Sequence, residues 1–323
     1  MSVVTIRVPD AAELPMLITK SRRAIEQEAV ALKEAVEEYA NSPQPGCLFK
    51  TDGNAWKQGH HRHRAGRRRL ALLGQQQARL MLANALDHLV TMGRALGSDG
   101  ALSLYSHTTL SRVVCEGVVR LAWLLDATVS YEERIARSAA ALLESSESRL
   151  QGANAIPADW FGQQPRQVLI ERSQTARDKV IRIIDSAGLA RVLNRPGTKT
   201  ASIDVPGTAT KIAIKLEIGL LMAKLLPDSP TWYTISSGPA HSVTWTLISA
   251  IVTDQSNPNL VLTPDLLEIG SAAETVISAS ALAIKSYALF YGHDPEPRVT
   301  RSQQRRDVLD KLMLGYLHGR KFV

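Results

Sequence analysis

Cysteine is almost missing from this chain. Its 323 residues hold two, Cys47 and Cys115, far apart and in contrasting surroundings, which excludes a disulfide framework and points to a reducing cytoplasm. Aromatic residues are scarce at 5% while alanine and leucine are plentiful, a balance that favours helix over sheet. The opening residues, MSVVTIRVPD, lack the charged stretch and following apolar run of a secretory signal. Ser229 to Thr253 has no formal charge and is long enough to span a bilayer. Ser-Ser-Gly-Pro-Ala-His-Ser interrupts it, so no apolar block of about 18 residues survives, and the stretch reads as protein core with no membrane partner.

Several chemical signatures are absent as well. There is no Walker A motif, no Gly-x-Gly-x-x-Gly and no zinc-ribbon cysteine pattern, so nucleotide and zinc-ribbon chemistry have no support and no cofactor is expected. No Gly-x-Ser-x-Gly surrounds Ser236 or Ser237, which leaves an acyl-transfer hydrolase unsupported. Acidic residues vanish between Asp52 and Asp87, where Lys57, Arg62, Arg64, Arg67, Arg68, Arg69 and Arg79 concentrate a charge of +7, the formal net charge of the whole chain. The basicity is one local patch.

What is present is helical periodicity. Apolar residues recur at helical spacing over about 21–40, 67–96, 103–125, 130–151 and 165–187. The helix from Ser130 opens with a capping box in which Glu133 follows the serine by three. Residues 189–208 form the longest turn-rich connection, and further helices are expected over about 209–226, 232–253, 264–291 and 300–318. The expected fold is all-α, a multi-helix bundle of about eight to nine helices with a turn-rich connection near the middle. Residues 1–188 would form an N-terminal helical region that carries the basic segment 53–86, and 209–323 a C-terminal region packed on it as one unit. Residues 1–18 read as an irregular lead-in, with VVTIRV a weak strand candidate.

The stretch Ser103–Leu125 carries only three formal charges, Arg112, Glu116 and Arg120, four apart and therefore on one helical face. Buried charge demands partners, so Glu116 is expected to pair with one or both arginines, leaving a cation for an anion such as phosphate. In the uncharged stretch Tyr233, Ser237, His241 and Trp245 also recur at steps of four. Pro239 suggests a kink or a helix start there; in a first turn the helix dipole would keep His241 neutral and able to act as a base. Both features admit a structural reading, as a packing face and as a core histidine bonded to Tyr233 or Ser237. His60, His61 and His63 sit among arginines that repel a cation and read as a basic loop rather than a metal site. A weaker metal reading groups Asp87, His88, Glu116 and His107 in the bundle. The basic segment, with Trp56 before it, fits the scheme in which arginines hold phosphates and an aromatic ring stacks on a base; a solvated loop is its structural alternative.

Three blocks, ANALDHLVTMGRAL, SRVVCEGVVRLAWLLD and YTISSGPAHSVTWTL, resemble a group of uncharacterised all-helical proteins common in actinobacteria. The last is similar also to helical domains of the HEPN class, many of which are metal-independent ribonucleases of toxin and defence systems. That resemblance implies a homo-oligomeric protein that acts on or binds RNA or another nucleic acid. His241 matches the class histidine and would be the base that activates a ribose 2′-hydroxyl. Ser236 and Ser237 stand where the class has arginine or asparagine, so Arg112 and Arg120 would hold the phosphate, with Glu116 and Tyr233 beside them. The alternative is a non-catalytic helical binding or scaffold protein.

Overall fold

The computed structural model of the chain describes residues 4–6, 16–58, 60–97, 104–157, 159, 163–242, 247, 251–252, 260–262 and 264–319. Among them are ten α-helices: α1 (Met16–Asn41), α2 (Leu48–Ala55), α3 (Arg64–Ala95), α4 (Ser106–Leu124), α5 (Tyr131–Ala155), α6 (Gln163–Ser186), α7 (Ile218–Leu225), α8 (Trp232–Ala240), α9 (Leu266–Tyr291) and α10 (Glu296–Gly319). The chain is thus predominantly helical, with a helix count slightly above the expected eight to nine. The short strands are β1 (Val4–Ile6), β2 (Arg191–Leu193), β3 (Thr200–Asp204), β4 (Lys211–Ala213), β5 (Ile251–Val252) and β6 (Leu260–Leu262). They form two three-stranded sheets. In one, β1 runs parallel to β6, and β5 pairs with β6 antiparallel; the other is the antiparallel meander β2-β3-β4.

Two hydrophobic cores divide the helices. The larger joins α1, α3, α4, α7, α8 and α9, around Ile25, Leu32, Leu89, Val118, Leu121 and Tyr287. Its axis is α4, whose Val114, Cys115, Val118, Val119 and Leu121 are wholly buried. Burial, with Glu116 adding to it, pushes the Cys115 thiol up, so the cysteine is packing rather than a nucleophile. Helix α9 is the one described helix long and apolar enough to cross a membrane by length and composition, and it lies packed between α1, α4 and α10. Asp265 caps its start, accepting from the backbone N–H groups of Leu267 and Glu268.

The smaller core joins the first turns of α3 to α5, α6 and the meander, through Leu70, Ile135, Ala139, Leu143, Ile184 and Ile203. Helix α3 therefore runs through both. Small residues let its neighbours approach: a Cβ on Gly74 would lie 2.0 Å from Ser138 Oγ on α5, and one on Gly117 3.2 Å from the Met81 carbonyl oxygen.

Two helical expectations are corrected. The stretch expected to be helical over 209–226 begins as β4, and its helix is confined to Ile218–Leu225. From Lys211 to Lys215 buried Ile212 and Ile214 alternate with exposed neighbours, a period of two that belongs to a strand. The turn-rich stretch before it supplies the meander: Pro196-Gly197 and Pro206-Gly207 mark its turns, with both glycines at positive φ. The helix expected over 232–253 ends at Ala240. Pro239 has no N–H for the ladder, Ser242 takes a left-handed φ of 54°, and the β-branched Ile251 and Val252 form a strand. Trp245 lies outside the described residues.

Where α9 meets α10, burial and then the neighbouring Asp310, by hydrogen bond and like charge, push the Glu274 carboxyl up to about 8; Arg306 opposes this more weakly. The folded value lies above the unfolded 4.5, so this carboxyl's stabilising contribution is complete below about pH 4.5 and is lost as pH rises through about 8. Glu274→Gln, neutral throughout, is expected to leave the melting temperature unchanged at about pH 5 and to raise it at about pH 9; equal shifts at the two pH values would refute this. Gly74→Ala is expected to lower stability by about 1–3 kcal/mol, read from urea unfolding, because α3 and α5 must move apart.

Candidate functional site

The basic segment is built on the end of α2 and the start of α3. After α2 the Trp56 indole N–H donates to the Gly53 carbonyl at 2.7 Å, and Lys57 donates to the Asn54 side-chain oxygen at 2.8 Å. A single 3-10 turn, His61–His63, leads into α3. There the His63 ring packs over Gly188, whose φ of 72° a side chain would strain and whose Cβ would lie 2.9 Å from the ring. His63 Nε2 accepts from Arg62 at 3.0 Å and its Nδ1 donates to the Ser186 carbonyl at 3.2 Å. His63 therefore holds the turn before α3 against the end of α6.

The six predicted cations divide by burial. Arg67 is half-buried and structural: it donates to the Ala187 carbonyl on one side and pairs with Glu132 at 2.6 Å on the other, tying α3 to α5 and α6. Lys57, Arg62, Arg64, Arg68 and Arg69 are exposed. Among the described residues no carboxylate pairs with Lys57, Arg62, Arg68 or Arg69. Lys57 and Arg68 lie over the half-buried Trp56 ring, 5.7 and 5.5 Å from its centroid. Helix α3 has no acidic residue in its first turn and no side-chain cap, so its partial positive end adds to the arginine charge. The ensemble is a cationic surface around one aromatic ring.

The α2 end is held by an ion pair that sequence reading missed. Arg134 Nε and Nη2 donate to the two Asp52 oxygens at 2.7 and 2.8 Å, and both residues are buried. The partners are 82 positions apart, and no local spacing marks them.

The second predicted group is only partly assembled. Arg112 pairs with Glu116 at 2.6 Å and lies over the Tyr233 ring, 4.9 Å from its centroid, with Nη2 3.5 Å from the phenol oxygen. Arg120 does not join them. It reaches across to Glu144 on α5 at 2.7 Å, so the expected three-residue ladder is a pair plus a separate interhelix bridge. His241 corrects a further expectation. It is the C-cap of α8, not a first-turn residue, its side chain is exposed, and it stands eight residues beyond Tyr233, about 12 Å along a helix. The backbone argument for a neutral base therefore lapses.

The four residues of the metal reading are also not gathered. His107 is buried at the start of α4, Asp87 is exposed, and His88 Nδ1 donates to the Asn84 carbonyl. Among the described residues no group of three or more His, Cys, Asp or Glu could hold a metal ion.

Compared with protein-family models, curated proteins and solved structures, the chain finds no match.

The Asp52–Arg134 tie positions the base of the cationic surface. Asp52→Ala would leave a buried guanidinium without its counter-charge, and a loss of about 3–5 kcal/mol is expected in chemical unfolding at neutral pH. A loss under about 1 kcal/mol would show the pair to be dispensable.

Proposed function

We propose that this chain is a helical RNA-binding protein that holds single-stranded RNA against the basic head of α3. The observation that carries the reading is the exposure of Lys57, Arg62, Arg68 and Arg69, without carboxylate partners among the described residues, at a helix N-terminus with no acid in its first turn. Phosphates would draw Lys57 and Arg68 from the Trp56 ring and leave its face to a base. RNA rather than another polyanion comes from the resemblance to HEPN-class domains. Cleavage is left out of the proposal: Arg112 is engaged by Glu116 and Tyr233, Arg120 by Glu144, and His241 stands at the far end of α8.

Four phosphate contacts would give a slope of log affinity against log salt of about −3 for a single strand. Fluorescence anisotropy with a labelled single-stranded RNA, at about 50 and 200 mM salt, measures it. The double substitution Arg68→Glu with Arg69→Glu is expected to weaken binding at least about tenfold and to flatten the slope by about 1.4. Absence of binding at the lower salt overturns the proposal. A gel of the same RNA, with wild type and with His241→Ala, is expected to show it intact in both lanes. Cutting by wild type alone would restore the nuclease chemistry.

A further inference from the structure

A cavity of about 640 Å³ lies away from the basic head, bounded by the C-terminal end of α4, the start of α5, and α7, α9 and α10. It exists because α7 and α8 pack on α4 and on each other while α9 packs on α4 and α10, leaving space between α7 and α9. Its size is that of a small-molecule site, about 300–1,000 Å³.

The lining has a sharp division of chemistry. Ala122, Leu125 and Ile277 form a buried floor, while Leu221, Leu225 and Leu282 form half-exposed walls. Two of the four cations that line it are engaged within the protein. Arg137 pairs with Asp126 at 3.1 Å and Glu133 at 2.6 Å, and its guanidinium lies 5.2 Å from the Trp123 ring centroid. Arg306 pairs with Asp228 and donates to Ser278 Oγ. Burial raises the Asp126 carboxyl, but hydrogen bonds from Thr128 and the charge of Arg137 outweigh it and hold it below its ordinary value, so this end stays a closed ion pair. Lys224 on α7 and Lys285 on α9 differ. Both are exposed at the cavity, and among the described residues neither has a carboxylate partner.

Helix periodicity accounts for the arrangement. Ser278, Ala281, Leu282, Lys285 and Leu289 follow one another at steps of one, three or four on one face of α9, and Leu221, Lys224 and Leu225 do the same on α7. Leu289 is 41% exposed, on a helix otherwise largely buried in the bundle. An apolar trough bordered by two lysines on facing helices is complementary to a ligand with an apolar body and one anionic head.

The geometry points to this cavity as a binding site for an amphipathic anion, an acyl or alkyl chain bearing a single carboxylate or phosphate head held between Lys224 and Lys285. The site is separate from the RNA reading and does not depend on it.

Titration calorimetry of the full chain with dodecanoate and, in a second arm, dodecyl phosphate tests it, with dodecyltrimethylammonium as the cationic control. Saturable binding of at least one anion is expected, with the tighter one identifying the head group, and at least about tenfold weaker binding of the cation. Lys224→Glu with Lys285→Glu is expected to weaken the anion at least about tenfold and to leave the RNA salt slope unchanged. Both lysines are exposed, so circular dichroism should show an intact fold. Ala281→Trp, which fills the trough, is expected to weaken binding of the chain whatever its head. No binding of either anion, equal binding of anion and cation, or an unchanged affinity in the double lysine variant each overturns the assignment.

Discussion

The first two turns of α5 hold the molecule together. Glu132 takes Arg67 from α3, Arg134 takes Asp52 from α2, and Arg137 donates to the Trp123 carbonyl at the end of α4 while pairing with Asp126 and Glu133. Arg134 also donates to the carbonyls of Asp126 and Val129 in the α4–α5 connection. Each guanidinium is largely shielded from water, and a shielded charge left unmatched costs several kcal/mol. The α3, α4 and α5 ends must therefore converge on this knot together. The helix start itself is secured by Ser130, which accepts from the Glu133 N–H.

From the knot the two cores extend in different directions. Helix α3, 32 residues long, passes through both, and Trp123 packs against both. The small residues at α3's crossings, Gly74 against Ser138 and Gly117 against the Met81 carbonyl, set how closely those helices lie. Where α7 and α9 are not drawn together by any such contact, the apolar trough remains.

The same distribution of ion pairs explains which cations face solvent. Carboxylates from other elements reach Arg67, Arg120, Arg134 and Arg137, and Glu116 of its own helix takes Arg112; these become structure. Among the described residues none reaches Lys57, Arg62, Arg68 or Arg69 at one end, or Lys224 and Lys285 at the trough. Unmatched, solvent-facing cations are the ones with charge to offer a ligand. Two such groups differ in setting: the basic head of α3 is polyvalent and open, and the pair at the trough is divalent and beside an apolar wall.

The helical class, the position of α1 and α3–α6, the N-cap at Ser130 and the localised basic charge were all legible along the chain. All of these depend on residues within a few turns of one another, through propensity, periodicity and local capping. Period and turn chemistry also held the meander, in alternating Ile212 and Ile214 and the two Pro-Gly turns, although a long helix was the stronger local pattern. Local spacing carried the Arg112–Glu116 pair, but the pairings between helices came from packing. Arg120 at helical spacing from Glu116 chose Glu144 on another helix, Arg134 found Asp52 across 82 positions, and Lys224 and Lys285 came to border one trough. Ion pairing follows distance in space and the cost of burial rather than distance along the chain, so the division between structural and available cations was settled by packing.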